Sequence, residues 1–150
     1  MPIDMPRLES LVGTEVGVGE WMEVTQDRVD AFADVTDDHQ WIHEAGEAAD
    51  NGPFGGPIAH GFLTLSLFTP LTSSVVDSLG KGAAMAINYG FDRVRFVSPV
   101  RVGSRIRARV KLLEATPIDN GVQLKNEITL EIDGMDRPAV VAEHLVRYYG

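Results

Sequence analysis

Asp38 and His43 lie five residues apart in the segment Thr36-Asp37-Asp38-His39-Gln40-Trp41-Ile42-His43. A carboxylate and an imidazole at that spacing can hold one water between them. They can then take a proton from it and deliver one to a neighbouring carbon, the work of a general base and a general acid. A second block, Pro57-Ile58-Ala59-His60-Gly61-Phe62, opens an apolar stretch that reads as a helix. An amide at a helix N-terminus has no partner within the helix, the dipole there favours negative charge, and glycine lets another group approach closely. Gly61 N–H therefore suits an oxygen that gains charge during a reaction. The three residues together fit the addition or removal of water next to a carbonyl. In most proteins an Asp and a His in a polar loop are merely solvated or capping groups, so the weight rests on the two blocks occurring together.

Other residues near these blocks have plainer readings. His39 reads as a surface residue, and His60 as the residue that orders the helix entry. Ser66 and Thr69 either touch a substrate or bond back to their own helix. Asn88-Tyr89-Gly90 either lines a substrate tunnel or packs as ordinary sheet. With no third ligand at clear spacing beside Asp38 and His43 and no cysteine in the chain, the sequence argues against a metal centre, a disulfide or a cysteine nucleophile. There is no P-loop glycine pattern either.

The net charge of −9 argues against nucleic acid, whose phosphates need a dominant basic surface. The cations are unevenly placed. Arg93, Arg95, Arg101, Arg105, Arg107, Arg109 and Lys111 form the one concentrated basic stretch, either the solvent face of strands or a landing site for an anionic substrate. The N-terminus, Met1 to Pro6, lacks the basic start and apolar run of a secretory leader, and a cytoplasmic location is the expectation. The apolar region from Ile58 to Val76 is interrupted by His60, several hydroxyl residues and Pro70, which favours a buried helix over a membrane span.

A chain of 150 residues is enough for one domain with its own core. Val16 to Val24 reads as an entry strand, and Thr25 offers an N-cap to a helix running to about Val35. Thr36 to Gly56 reads as loops with a short helix, too long to be a mere connector. From Ala59 to about Leu79 apolar residues occupy most of the circumference, predicting a central helix enclosed on all sides, with Pro70 kinking it or repaired by Ser66 or Thr69. Period-two alternation follows: Ile106, Ala108, Val110 and Leu112, then Val122 through Ile132. Asp119-Asn120-Gly121 marks a hairpin, Asp133-Gly134 another turn, and Ala139 to Tyr149 a last strand. The pattern predicts an α+β fold, a curved antiparallel sheet around a long helix.

The two blocks resemble the signature of the MaoC-like dehydratases, the R-specific enoyl-CoA hydratases of the hotdog fold: Asp, a variable residue, Asn-Pro, an aliphatic residue and His. Asp38 and His43 match its ionisable positions. Gln40-Trp41 stands where Asn-Pro is usual, a form similar to the NodN-type branch, and the departure bears on the substrate and the loop. The likeness covers nearly the whole chain, including His60-Gly61 and Val94-Arg95-Phe96-Val97-Ser98-Pro99-Val100 followed by Gly103.

The resemblance implies a homodimer or higher homo-oligomer that reversibly hydrates trans-2-enoyl thioesters. Asp38 and His43 would direct syn addition to an (R)-3-hydroxyacyl product, and Gly61 N–H would bind the enolate oxygen. Substrate contacts are expected at Gln40, Trp41, His60, Ser66, Thr69, Asn88, Tyr89, Gly90, Arg93 and Arg95. No cofactor is expected beyond the coenzyme A or acyl carrier that the substrate itself carries. Two alternatives are a hotdog acyl-CoA thioesterase and a non-catalytic acyl-CoA-binding subunit. The lack of an acid between Gly61 and Asp77 counts against the first, and the Asp38/His43 pair counts against the second.

Overall fold

Alternation of apolar and polar residues builds most of the molecule. In the computed structural model, which describes residues 3–150, the alternating apolar residues of β4 (Arg105–Ile118) and β5 (Gly121–Ile132) turn inward and are buried. The hairpin between them falls where the Asp119-Asn120-Gly121 signal places it. Asn120 takes the left-handed conformation, φ 59°, that asparagine tolerates. β6 (Val140–Tyr149) pairs with β5, and β3 (Met85–Phe96) with β6. On the other side β1 (Glu15–Val18) and β2 (Met22–Glu23) both pair with β4. The order is β1-β4-β5-β6-β3, antiparallel throughout, with the helices laid against one face. Met1 and Pro2, the start of the segment read for a leader, lie outside the described residues.

The expected single entry strand is broken in two. At Gly19 the backbone runs so close to the central helix that an added Cβ would collide with the Leu71 carbonyl. Thr25 caps α2 (Gln26–Thr36) as its hydroxyl predicts, accepting from Arg28 N–H at 3.2 Å. A further helix, α1 (Met5–Leu11), was not anticipated. Its signals were present, since Asp4 caps it and a proline occupies its first turn. It buries Leu8 and is tied to the far end of the central helix by Arg7, which donates to Ser78 O and Oγ at 2.8 Å.

The central helix differs from expectation in two ways. It is divided into α4 (Gly61–Ser66) and α5 (Phe68–Leu79), with the break at Leu67 rather than at Pro70. Proline clashes with the carbonyl four residues earlier and lacks a donor. By restarting at Phe68, the chain places Pro70 in a first turn, where neither fault matters. No repair by Ser66 or Thr69 is needed, and Ser66 Oγ instead donates to Phe62 O at 2.8 Å. Nor is the helix enclosed on all sides. Leu63, Leu67, Phe68, Leu71, Val75 and Leu79 form one buried stripe, while Phe62, Ser66, Thr69, Pro70 and Ser73 face outward. Residues 61–79 are long and apolar enough to cross a membrane, but that stripe is packed on the sheet, as in the core helix of a folded domain.

Candidate active site

The site is assembled by the segment between α2 and α4. Helix α2 ends at Asp37, whose left-handed conformation, φ 56°, turns the chain sharply. Asp38 emerges from that turn, its amide bonded to Ala33 O at 3.1 Å and its side chain about half exposed. A 3-10 turn, Trp41–His43, follows and carries His43 inward until it is 6% exposed. There His43 Nδ1 lies 2.7 Å from Ile58 O. A carbonyl only accepts, so Nδ1 carries a proton, and in the neutral tautomer that this selects the lone pair is on Nε2. His43 is thus poised as an acceptor within the cavity it lines.

His60 does more than open the helix. It is 3% exposed, its ring stacks on that of His43 with centroids 3.7 Å apart, and Nε2 donates to the Asp38 carbonyl at 3.0 Å. Its Nδ1 is buried with no hydrogen-bond partner among the described residues. Asp38, His43 and His60 each bring one polar atom to within 4.8 Å of the others. The sequence reading found no third ligand for a metal, and the structure corrects that, because His60 supplies one. The stack still disfavours a shared cation. Ring planes inclined by only 24° hold in-plane lone pairs nearly parallel rather than convergent.

Gly61 is the first residue of α4, so its amide has no acceptor within the helix. It borders a cavity of about 430 Å³ together with His43, Phe54, Phe62, Thr64, Phe96 and Ser98. A Cβ on Gly61 would press to 2.9 Å on the Phe96 ring, so glycine is required for that contact. Thr64, Phe96 and Ser98 were missed as site residues. Their sequence signal was indirect: Phe96 and Ser98 belong to the strand-turn motif, and Thr64 lies one turn beyond His60.

Residues 7–132 match the family described as MaoC like domain. The chain belongs to the MaoC-like family. It is 47% identical over 142 residues to 3-hydroxyacyl-thioester dehydratase Z of Mycobacterium tuberculosis, covering 94% of this chain and 93% of that one. Nodulation protein N of Rhizobium leguminosarum is 44% identical, with 93% and 88% covered. Among solved structures, the (R)-hydratase from A. caviae involved in PHA biosynthesis superposes with a TM-score of 0.65 at 29% identity, covering 87% of this chain and 95% of that one. The fold is the hotdog fold of these MaoC-like dehydratases, and the protein is a hydro-lyase.

Within this MaoC-like domain the remaining predicted residues separate. Gln40 and Trp41 do not line the cavity that Gly61 borders. Gln40 N–H faces Asp38 Oδ1 at 3.5 Å, while Trp41 covers Gly52 at the end of α3 (Glu47–Asp50), where an added Cβ would meet its ring at 3.0 Å. Gln40-Trp41 therefore shapes the loop. Ser66 and Thr69 are exposed and outside that cavity, although Thr69 lines a second one with Asn88. Tyr89 is exposed, with the Arg147 guanidinium 3.4 Å above its ring, and Gly90 adjoins a bulge in the β3 to β6 pairing.

The basic run also divides. Arg105 pairs with Asp133, Arg107 with Glu131, and Arg109 with both Glu131 and Glu15, so these cations are neutralised across neighbouring strands. Arg101 clamps the active-site loop by donating to Gly55 O at 2.9 Å. Arg93 and Arg95 have no acidic partner within ion-pair distance among the described residues. Lys111 likewise has none, so Arg93, Arg95 and Lys111 are the part of the run held neither by an ion pair nor by the loop. His39 lies at the surface beside Asp34 and Glu44, as expected.

If His60 positions the loop, His60→Phe should keep the ring stack and lose the bond to the Asp38 carbonyl. Hydrogen exchange at the Asp38 and His43 amides should then rise by about fivefold, the equivalent of one hydrogen bond. Unchanged exchange at both amides would contradict that role.

Proposed function

We propose that this hydro-lyase reversibly hydrates trans-2-enoyl thioesters, with Asp38 and His43 sharing the reacting water and the Gly61 amide receiving the thioester oxygen. One observation carries the reading. The Ile58 carbonyl fixes the His43 tautomer so that Nε2 is an acceptor, in the cavity that Gly61 opens and within reach of Asp38. In the hydration direction the water oxygen bonds to C3 as the pair removes its proton. The C2–C3 double bond is consumed, and charge moves to the thioester oxygen, where an amide at a helix N-terminus stabilises it. The pair then returns a proton to C2 from the same side, giving syn addition. Dehydration reverses each step.

The relatives support this substrate class, since one is named a 3-hydroxyacyl-thioester dehydratase and another an (R)-hydratase. The mostly apolar catalytic cavity favours the enoyl group, and Arg93 and Arg95 favour a phosphate-bearing carrier, coenzyme A or an acyl carrier protein. No further cofactor enters these steps.

The reading includes a homodimer. β3 is an edge strand of twelve residues that, among the described residues, pairs only with β6. It exposes Met85, Ile87, Tyr89, Phe91 and Phe96. A long apolar edge needs cover, and a second copy of the same edge provides it.

With crotonyl-CoA, Asp38→Asn and His43→Ala should each lower kcat by about 10²–10⁴-fold while circular dichroism stays that of the wild type. Full turnover by either variant would sink the assignment. Sedimentation should give twice the chain mass for the wild type and a shift toward monomer for Ile87→Lys. A monomeric wild type would refute the dimer.

A further inference from the structure

A thioester held at Gly61 has two arms, and two cavities border the helical segment that Gly61 opens. The carrier arm is anionic, and Arg93 and Arg95 adjoin Phe96 on the rim of the catalytic cavity in sequence, so that arm leaves on the Phe96 side. The other cavity, about 390 Å³, lies farther along the same helix, between α5 and strands β3 and β6. Phe68 and Thr72 on its wall are seven and eleven residues beyond Gly61, about 10–16 Å along the helix.

The polar groups of this second cavity have specific free valences. Thr72 Oγ1 donates to Phe68 O at 2.7 Å and Ser73 Oγ to Pro70 O at 3.1 Å, so both hydroxyl protons are spent on the helix. His144 Nε2 lies 3.0 Å from Asn88 Oδ1, which makes Nε2 the donor and leaves His144 Nδ1 as an acceptor and Asn88 Nδ2 as a donor. Burial lowers the His144 pKa, so the ring is neutral at physiological pH. Opposite His144 on β5, Asn126 is 1% exposed and its Oδ1 has no hydrogen-bond partner among the described residues. Asp77, also on the wall, disfavours an occupant with negative charge.

We propose that the second cavity receives the distal acyl chain and that Asn88 and His144 select a chain bearing a hydroxyl group remote from the thioester. A hydroxyl both donates and accepts, which is what the pair offers, whereas a methyl end does neither. The inference rests on the hydration reading above.

The test compares kcat/KM for 10-hydroxy-trans-2-decenoyl-CoA and trans-2-decenoyl-CoA, because with bonds near 1.5 Å a chain of about ten carbons spans the required distance. Each value is divided by that for crotonyl-CoA on the same preparation, which removes any loss of folded protein. The wild type should prefer the hydroxylated chain by about five- to tenfold and turn over a chain ending in a carboxylate least well. Asn88→Leu and His144→Leu should each abolish the preference. Crotonyl-CoA turnover with the methyl-ended chain preferred, or a preference that survives both substitutions, would overturn this inference alone. Failure to hydrate crotonyl-CoA would overturn the hydration reading and this inference with it.

Discussion

A short backbone bridge holds the site together. Ala59 N–H donates to Val100 O at 2.8 Å and Val102 N–H to Pro57 O at 2.9 Å, so residues 57–59 lie against the 100–102 turn almost as an extra strand pair. Every functional group hangs from this bridge. Ile58 accepts from His43 Nδ1 through its carbonyl and donates its amide to Ile42 O at 2.9 Å, which fixes both the tautomer and the height of the His43 imidazole. The next residues are His60, which carries the Asp38 carbonyl, and Gly61, whose free amide opens α4. Buried backbone groups must be paired, and here that requirement itself positions Asp38, His43 and the Gly61 amide.

The divided helix belongs to the same design. Its buried stripe anchors α4 and α5 to the sheet, which gives the Gly61 amide a rigid support. The restart at Phe68 accommodates Pro70 without a missing bond, and the outward face is left free beside the exposed edge of β3. The charged outer face of the sheet contributes differently. Exposed ion pairs such as Arg105–Asp133 are worth about 0–1 kcal/mol each, so their effect is less on stability than on which cations remain for a ligand. Pairing across strands consumes Arg105, Arg107 and Arg109 and leaves Arg93, Arg95 and Lys111.

Much of this was legible in the sequence because it is written locally. Strand alternation from Ile106 to Ile132, the Thr25 cap and the Asn120 turn all depend on near neighbours, and each of these elements is present. What the sequence hid was set by contacts between distant segments. The Asp38–His60 bond joins residues 22 apart, and the acid that neutralises Arg109 is 22 residues away on another strand. Gly19 splits the entry strand because the helix passes over it. Counting apolar residues from Phe62 to Val76 measured the helix's composition but could not show that the sheet covers one side alone.

The central claim, that Asp38 and His43 act on one face of the substrate through one water, has a direct stereochemical consequence. Crotonyl-CoA hydrated in deuterium oxide and examined by NMR should give (R)-3-hydroxybutyryl-CoA with deuterium at C2 placed syn to the new hydroxyl. An (S) product, anti placement of the deuterium, or release of free coenzyme A without hydration would contradict it.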